Sequence, residues 1–180
     1  MVGMALTACG HTAAQDKTTK PVTSSVSASA TASAAQPPAG KPAECRTKSL
    51  AWKLVLLPAK GSSRRDARLT AANPASRPCV FAGYPGVLIH NGKANSLEGV
   101  GHGHPKTVTL HKGAKVTVDL QYTPRGAKSA GDYCVTTDEV LVSAPHNPDD
   151  DRANIRVVDA HDRFAVIDAC GESISMSLPH

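Results

Sequence analysis

Residues 114–122, AKVTVDLQY, decide the fold class, because apolar and polar side chains alternate along this stretch without a break. One side would carry Val116, Val118, Leu120 and Tyr122, and the other side Lys115, Thr117, Asp119 and Gln121. A period of two is typical of a β-strand with one buried face. The stretch therefore predicts a half-buried strand.

Similar patterns recur from Cys45 onward, and no stretch carries apolar residues at helical spacing over three turns. Further strands are predicted in SLAWKLVL (49–56), ARLTAAN (67–73), GVLIHNGKA (86–94), KTVTL (106–110), EVLVSA (139–144), NIRVV (154–158), RFAVIDA (163–169) and SISMSL (173–178). Asn91-Gly92 predicts a hairpin. About eight to nine short strands predict an all-β, immunoglobulin-like antiparallel β-sandwich, and a closed barrel is the alternative.

The N-terminus predicts export and a lipid anchor. Leu6-Thr7-Ala8-Cys9 has the pattern of a bacterial lipobox, with an aliphatic residue, two small residues and the cysteine that accepts the acyl chains. We expect residues 1–9 to be the remnant of a lipoprotein signal peptide, although the basic residues and the longer apolar run of such a signal do not precede Cys9. Cys9 would hold the protein to the outer face of the cell membrane.

Residues 10–43 are expected to form a disordered stalk. They are rich in Ala, Ser, Thr and Pro and contain no aromatic residue, Leu or Ile. Such a segment cannot bury enough apolar surface to offset the entropy of ordering. The folded domain is therefore expected in residues 44–180.

The cysteines predict two disulfides in an oxidising compartment. With Cys9 reserved for lipid, an even number remains in the domain. If residues 49–56 and 67–73 pair as antiparallel strands, Cys45 comes to lie beside Cys79. By elimination, Cys134 would pair with Cys170. The absence of any CxxC motif argues against zinc ligation or redox exchange.

The charge and composition argue against a nucleic-acid partner. The net charge is +5, but basic residues are scattered between acidic ones, and aromatic residues make up 3% of the chain. Nucleic-acid binding would need a basic stripe or aromatic residues interleaved with Arg and Lys. Neither pattern is present in the sequence.

Several motifs together resemble those of a known family. They are the lipobox, the Ala-rich stalk, CRTKSL, NPASRPCVFAGYPGV, VTLHKGAKV, a Tyr-Cys pair and ACGESISMSLP. With these motifs the chain resembles, over nearly all of residues 44–180, the actinobacterial lipoprotein family called domain of unknown function 4232. The resemblance implies an exported β-sandwich with cysteine pairs, and it implies no activity. It also implies scaffold roles, alongside Cys79, for Gly83, Tyr84, Pro85, Gly86 and Gly113.

A metal site is the most specific chemical alternative. In Gly101-His102-Gly103-His104-Pro105, two histidines one residue apart on an extended segment would share a face, as in several β-metalloproteins. A third ligand would have to come from His90, His111 or His146. An exposed, glycine-flanked loop is the simpler interpretation of the same residues.

Other candidate chemistry is weaker. Asp149-Asp150-Asp151 could offer oxygen ligands to calcium but lacks the spacing of an EF-hand loop. The pairs Asp138-Glu139 and Asp159 with Asp162 could be catalytic carboxylates, although turn and strand-edge roles are simpler. No GxSxG or SxxK motif in a catalytic context, and no cysteine left unpaired beside a histidine, indicates a nucleophile.

These observations favour a non-catalytic, monomeric envelope lipoprotein without a cofactor. Its long loops, at 124–132 and 144–153, would present a binding surface to an envelope protein or a glycan. A zinc- or copper-binding lipoprotein that uses His102 and His104 is the second hypothesis, and a hydrolase is the third.

Overall fold

The computed structural model describes residues 40–61, 63–92, 95–147 and 150–180 of the chain. The expectations for residues 1–9 and for residues 10–39 of the predicted stalk lie outside the described residues. Within the described ranges the chain forms one short 3-10 helix, Thr47–Ser49, and eleven strands. The strands are β1 (Ala51–Leu56), β2 (Arg65–Ala72), β3 (Cys79–Phe81), β4 (Gly86–His90), β5 (Ser96–Gly101), β6 (Val108–Leu110), β7 (Lys115–Pro124), β8 (Cys134–Thr137), β9 (Glu139–Ser143), β10 (Ala153–Val158) and β11 (Ile167–Met176).

Eight strands form one closed, mixed sheet. Their order around the ring is β5, β4, β9, β10, β1, β2, β7 and β11. The ring closes because β11 pairs with β5 in parallel, with Ser173 opposite Glu98. β1 and β10 form the second parallel pair, with Leu54 opposite Val157. The other six joins are antiparallel. The domain is therefore an all-β barrel.

The prediction of an immunoglobulin-like antiparallel sandwich is wrong, and the closed barrel that the sequence left open as an alternative is correct. Alternation along each strand is the same in both folds, because in each the inward side chains fill one common interior. What separates the folds is whether the last edges pair. Here the parallel pairing of β5 with β11 leaves no gap in the ring.

Three strands lie outside the ring. β8 pairs with the first half of β11, where Cys134 lies opposite Cys170, and β5 pairs with the second half. β8 therefore shares with β5 the same edge of β11. β3 and β6 form a separate two-stranded sheet, with Cys79 opposite Leu110.

The predicted alternation is confirmed where it is clearest. All four apolar side chains of the 114–122 stretch are buried, and so are Ala67, Leu69 and Ala71 of β2. Ala71 and Val116 belong to a second cluster, and the others join an interior made of aliphatic side chains, with few aromatic ones. Its largest fully buried members in the barrel include Leu54, Leu69, Ile89, Leu97, Leu120, Ile167 and Ile174.

Local predictions have mixed outcomes. β4 and β5 form the hairpin predicted at Asn91-Gly92, where Gly92 has a φ of 71°. The two strands predicted in RFAVIDA and SISMSL are instead one strand, β11, that begins only at Ile167. Gly171, with a φ of 117°, allows an irregularity in the register within that strand. The residues between the two predicted strands therefore form a bulge within one strand.

The loops fall at two ends of the barrel. We call one end the motif pole, which carries the described loop residues 73–78, 82–85, 102–107, 111–114, 144–147 and 150–152. The opposite end, the Phe164 pole, carries the described loop residues 57–61, 63–64, 91–92, 95, 125–133 and 159–166. Among the described residues no helix is long and apolar enough to cross a membrane.

Candidate functional site

The cysteines are paired as the sequence analysis predicts. Cys45 is bonded to Cys79 at the motif pole, and Cys134 to Cys170 where β8 meets β11. Both bridges join segments that are already hydrogen-bonded neighbours, since Cys45 N donates to the Val80 carbonyl over 2.9 Å. Disulfides form and persist in oxidising compartments. The protein is therefore extracytoplasmic.

The Gly-Tyr-Pro-Gly turn between β3 and β4 is part of the scaffold of the motif pole. The Tyr84 hydroxyl donates a hydrogen bond to the His102 carbonyl. Its ring occupies the space that a side chain on Gly101 would need. Gly83 has a φ of 129°, and a side chain on Gly86 would overlap the Ser143 hydroxyl. The small residues of this motif are thus required by close approach and by backbone angle.

The other two motif residues also have structural positions. Pro85 is buried. Gly113 has a φ of 77° in the turn between β6 and β7, where the Ala114 amide donates to the His111 carbonyl over 2.9 Å. A left-handed residue is what such a tight turn needs, and glycine adopts it without steric cost.

The structure does not bring the predicted histidine ligands together into a metal site. His102 and His104 are exposed, and Gly103 between them has a φ of 93°, so the segment is not extended there. His146 Nδ1 lies 3.7 Å from a carboxylate oxygen of Glu44. Among the described residues, no group of three or more His, Cys, Asp or Glu side chains could hold a metal ion.

The loop at 144–153, expected to bind a partner, is tied to the start of the domain. The buried Thr47 hydroxyl accepts a hydrogen bond from the Ala144 amide over 2.9 Å. Asp151 accepts one from the Thr47 amide over 3.2 Å. The Asn147 side chain donates to the Cys45 carbonyl over 3.0 Å. Asp149 lies outside the described residues. Asp151 takes part in these contacts between the loop and the start of the domain, and only 14% of its side chain is exposed.

The loop at 125–133 is also fixed, at the Phe164 pole. The Tyr133 hydroxyl accepts from the Ser96 amide over 2.8 Å and donates to the Ser96 carbonyl over 3.1 Å. Tyr133 thereby joins the start of β8 to the start of β5. Next to it the Cys134–Cys170 bridge ties β8 to β11, so both contacts fasten the seam of the barrel.

A groove of about 360 Å³ on the barrel wall is lined by both Asp66 and Asp119. Asp119 accepts two hydrogen bonds from the Arg68 guanidinium, at 2.7 and 3.3 Å. These bonds hold the pKa of Asp119 below its ordinary value. A carboxylate that is ionised and paired in this way is a poor proton donor. Asp119 therefore has a structural role in the groove, as the partner of Arg68.

The turn at 159–163 is the most tightly organised surface feature of the Phe164 pole. One Asp159 oxygen accepts from the amides of His161 and Arg163, over 2.8 and 3.0 Å. The other accepts from the Arg163 guanidinium, over 2.8 and 2.7 Å. The Arg163 side chain and the two amides lower the pKa of Asp159 to about 2. The carboxylate therefore fixes the turn whenever it is ionised.

This turn presents an apolar surface to solvent. Ala165 packs against the barrel interior and its amide donates to the Val157 carbonyl over 3.0 Å, so its two neighbours face outward. Phe164 is 74% exposed and Val166 is 57% exposed. The Arg156 guanidinium lies 4.8 Å from the centre of the Phe164 ring and covers one face of it. We call Arg156, Asp159–Arg163, Phe164 and Val166 the Phe164 surface.

Sequence reasoning missed this surface because RFAVIDA was predicted to be a strand along its whole length, and no face was assigned to Phe164. In the structure the strand begins only at Ile167, and the inward residue of the preceding segment is Ala165. The available signal was the turn role that the sequence analysis favoured for Asp159 and Asp162, which lie close together in the sequence and are of a type common in turns. A large aromatic directly after such a turn has no long strand to bury it.

One comparison with known proteins gives a match. The family model described as a domain of unknown function (DUF4232) matches residues 45–166, which is more than half of the chain. The chain belongs to that family. Neither a curated protein nor a solved structure matches it.

Proposed function

We propose that this member of the domain of unknown function 4232 family is a non-catalytic, lipid-anchored binding module of the cell envelope. Its Phe164 surface would bind a partner protein. The observation that carries the proposal is the exposure of Phe164, 74% in a domain whose other phenylalanine is 1% exposed. The extracytoplasmic location of the two disulfides is consistent with this role.

The Phe164 surface has the features of a protein-binding hot spot. Hot spots are rich in aromatic residues and Arg, and their energy comes from filling a pocket on the partner. Phe164 has the aromatic side chain, Arg156 lies against its ring, and Val166 extends the apolar area. Because Asp159 holds the preceding turn in place, little conformational entropy would be lost on binding. The expected partner has an apolar pocket that accepts the free face of the ring.

The anchor belongs to the same proposal. Acyl chains on Cys9 would hold the chain on the outer face of the membrane, and two or more chains are needed for a stable attachment. The support is the Leu6-Thr7-Ala8-Cys9 pattern and the polar composition of residues 10–39. Mass spectrometry of the N-terminal peptide from membranes tests this part: an unmodified Cys9 would contradict it.

The partner surface can be tested by comparing captured proteins quantitatively. Full-length wild-type protein and a Phe164→Ala, Val166→Ala variant would each be used to capture proteins from solubilised cell envelope. We expect specific partners to lose about thirtyfold in affinity with the variant, the scale of a hot spot. The matched control is Leu178→Ala, which removes an exposed apolar side chain from another part of the surface. Equal capture by all three proteins would overturn the assignment of the surface.

A further inference from the structure

The fold gathers basic side chains that the sequence scatters. Lys41, Arg77, Lys112 and Lys115 are all exposed and lie on neighbouring segments of the motif pole, and we call these four residues the basic pole. Within the part of the chain that the structure describes, none of the four forms an ion pair. Their charges are therefore available to an anionic partner.

Buried Asn73 brings three of these side chains together. Its side-chain amide donates to the carbonyls of Arg77 and Leu110, over 2.9 and 2.8 Å. Its own main chain accepts from the Gly113 amide over 2.7 Å and donates to the Ala114 carbonyl over 3.0 Å. The loop that carries Arg77 is thus fixed against the turn that carries Lys112, and Lys115 begins the next strand.

The fourth basic residue, Lys41, lies on the segment that enters the domain. The Val80 amide donates to the Ala43 carbonyl over 2.8 Å, and Glu44 forms a parallel bridge with Val80. Residues 40–43 therefore lie alongside the approach to β3, which places Lys41 beside the loop of Arg77. This is also the pole at which the described chain begins.

The chain segment that carries three of these side chains is poor in acidic residues. Between Ala67 and Val118, Glu98 is the single acidic residue. The same segment contains six basic residues, Arg68, Arg77, Lys93, Lys106, Lys112 and Lys115. The nearest acidic side chain on the entering segment, Glu44, lies 3.7 Å from His146. The acidic side chains of the motif pole, Glu44, Asp150 and Asp151, form no ion pair with these four basic side chains in the described residues.

We infer that the basic pole binds the anionic phospholipid headgroups of the membrane that holds the anchor. This inference rests on the proposed lipidation of Cys9 for its setting. The chain that leads toward Cys9 leaves the domain at this same pole, so anchoring would raise the effective concentration of headgroups there. Each Lys or Arg close to an anionic membrane surface strengthens binding about fivefold. The barrel would then rest on the membrane with the Phe164 pole pointing away.

Vesicle binding tests the inference without the anchor. Full-length Cys9→Ser protein, which cannot be acylated, would be sedimented with vesicles of phosphatidylglycerol and phosphatidylcholine, or with phosphatidylcholine alone. We expect binding only to the anionic vesicles, weakening as salt is added. The Arg77→Gln, Lys112→Gln, Lys115→Gln variant should bind about a hundredfold more weakly, since three fivefold contributions are lost.

A matched variant separates a defined surface from net charge. Lys60→Gln, Arg64→Gln, Lys128→Gln removes the same charge from exposed positions at the Phe164 pole, and it should bind as the parent does. Equal weakening by both triple variants, or equal binding to phosphatidylcholine vesicles, would overturn the inference. If the first triple variant does not melt as the parent does, Lys112→Gln alone should still bind about fivefold more weakly. An unacylated Cys9 in cells would remove the anchor and leave these vesicle results unchanged.

Discussion

The hydroxyl of Tyr84 donates a hydrogen bond to the main-chain carbonyl of His102. Tyr84 lies in the turn that leads from β3 into β4, and His102 follows the last residue of β5. The contact therefore joins the two ends of the β4–β5 hairpin at the motif pole. The ring of Tyr84 lies directly over Gly101, so this position has room for a hydrogen atom only.

Gly101→Ala should destabilise the domain. The added methyl group would overlap the Tyr84 ring, and one of the two must move. Overpacking of this kind costs about 1 to 3 kcal/mol in the free energy of unfolding. Chemical denaturation of the two proteins measures the difference. Gly131→Ala is the control, because nothing lies within 4 Å of the new methyl group, and a loss as large as that of Gly101→Ala would contradict the packing argument.

Thr47→Val should destabilise the domain more than Thr47→Ser, which removes only a buried methyl group. The Thr47 hydroxyl accepts from the buried Ala144 amide, and valine would leave that amide without a partner. An unsatisfied buried donor costs about 1 to 3 kcal/mol. Serine keeps the hydroxyl and loses only a methyl group. Chemical denaturation measures the free energy of unfolding of each variant. Equal stability of wild type and Thr47→Val would show that the hydrogen bond between Thr47 and Ala144 contributes nothing to stability.

The turn that presents Phe164 should lose its order in acid. The pKa of Asp159 is lowered to about 2 in the folded protein, from an ordinary value of 3.8. Its stabilising contribution is therefore complete above the ordinary value and is lost as the pH falls through about 2. An NMR titration from pH 5 to pH 1.5, in steps of about half a pH unit, measures this loss through the amide chemical shifts of His161 and Arg163.

Two variants identify the carboxylate responsible for that change. Asp159→Asn should abolish the acid transition, because the titrating group is gone. Asp162→Asn should retain it, since the Asp162 side chain pairs with Lys53 on the outside of the turn and asparagine tolerates its φ of 61°. The assignment fails if Asp159→Asn titrates as the wild type does.

Removing either disulfide should lower stability by a similar amount. The bridges close loops of 34 and 36 residues, and the chain-entropy model gives each about 3 to 4 kcal/mol. We expect the paired alanine variants at Cys45 with Cys79, and at Cys134 with Cys170, to melt well below the wild type. In the oxidised domain none of the four should react with a thiol reagent. Full reactivity with an unchanged melting temperature would refute the proposed framework.

Much of the fold could be predicted from local pattern. The inward residues of β2 and β7, the Asn91-Gly92 hairpin and the antiparallel pairing of β1 with β2 depend on neighbours in the sequence. The Cys45–Cys79 pairing followed from that adjacency. The candidate metal ligands could not be predicted in this way. His102 and His104 are close in the sequence, but in the described residues no third ligand joins them in a metal site.

The sequence by itself determined the class of the fold, the faces of its main strands and the cysteine framework, because side-chain period and turn chemistry act over a few residues. Only the tertiary structure decided that the sheet closes. The pairs β1–β10 and β5–β11 are parallel and join segments far apart in the sequence, so no short turn motif indicates that these strands pair. The tertiary structure also decided which charges meet at the basic pole and that Ala165, not Phe164, faces inward. Those outcomes depend on which segments share a barrel wall, and local alternation carries no information about that.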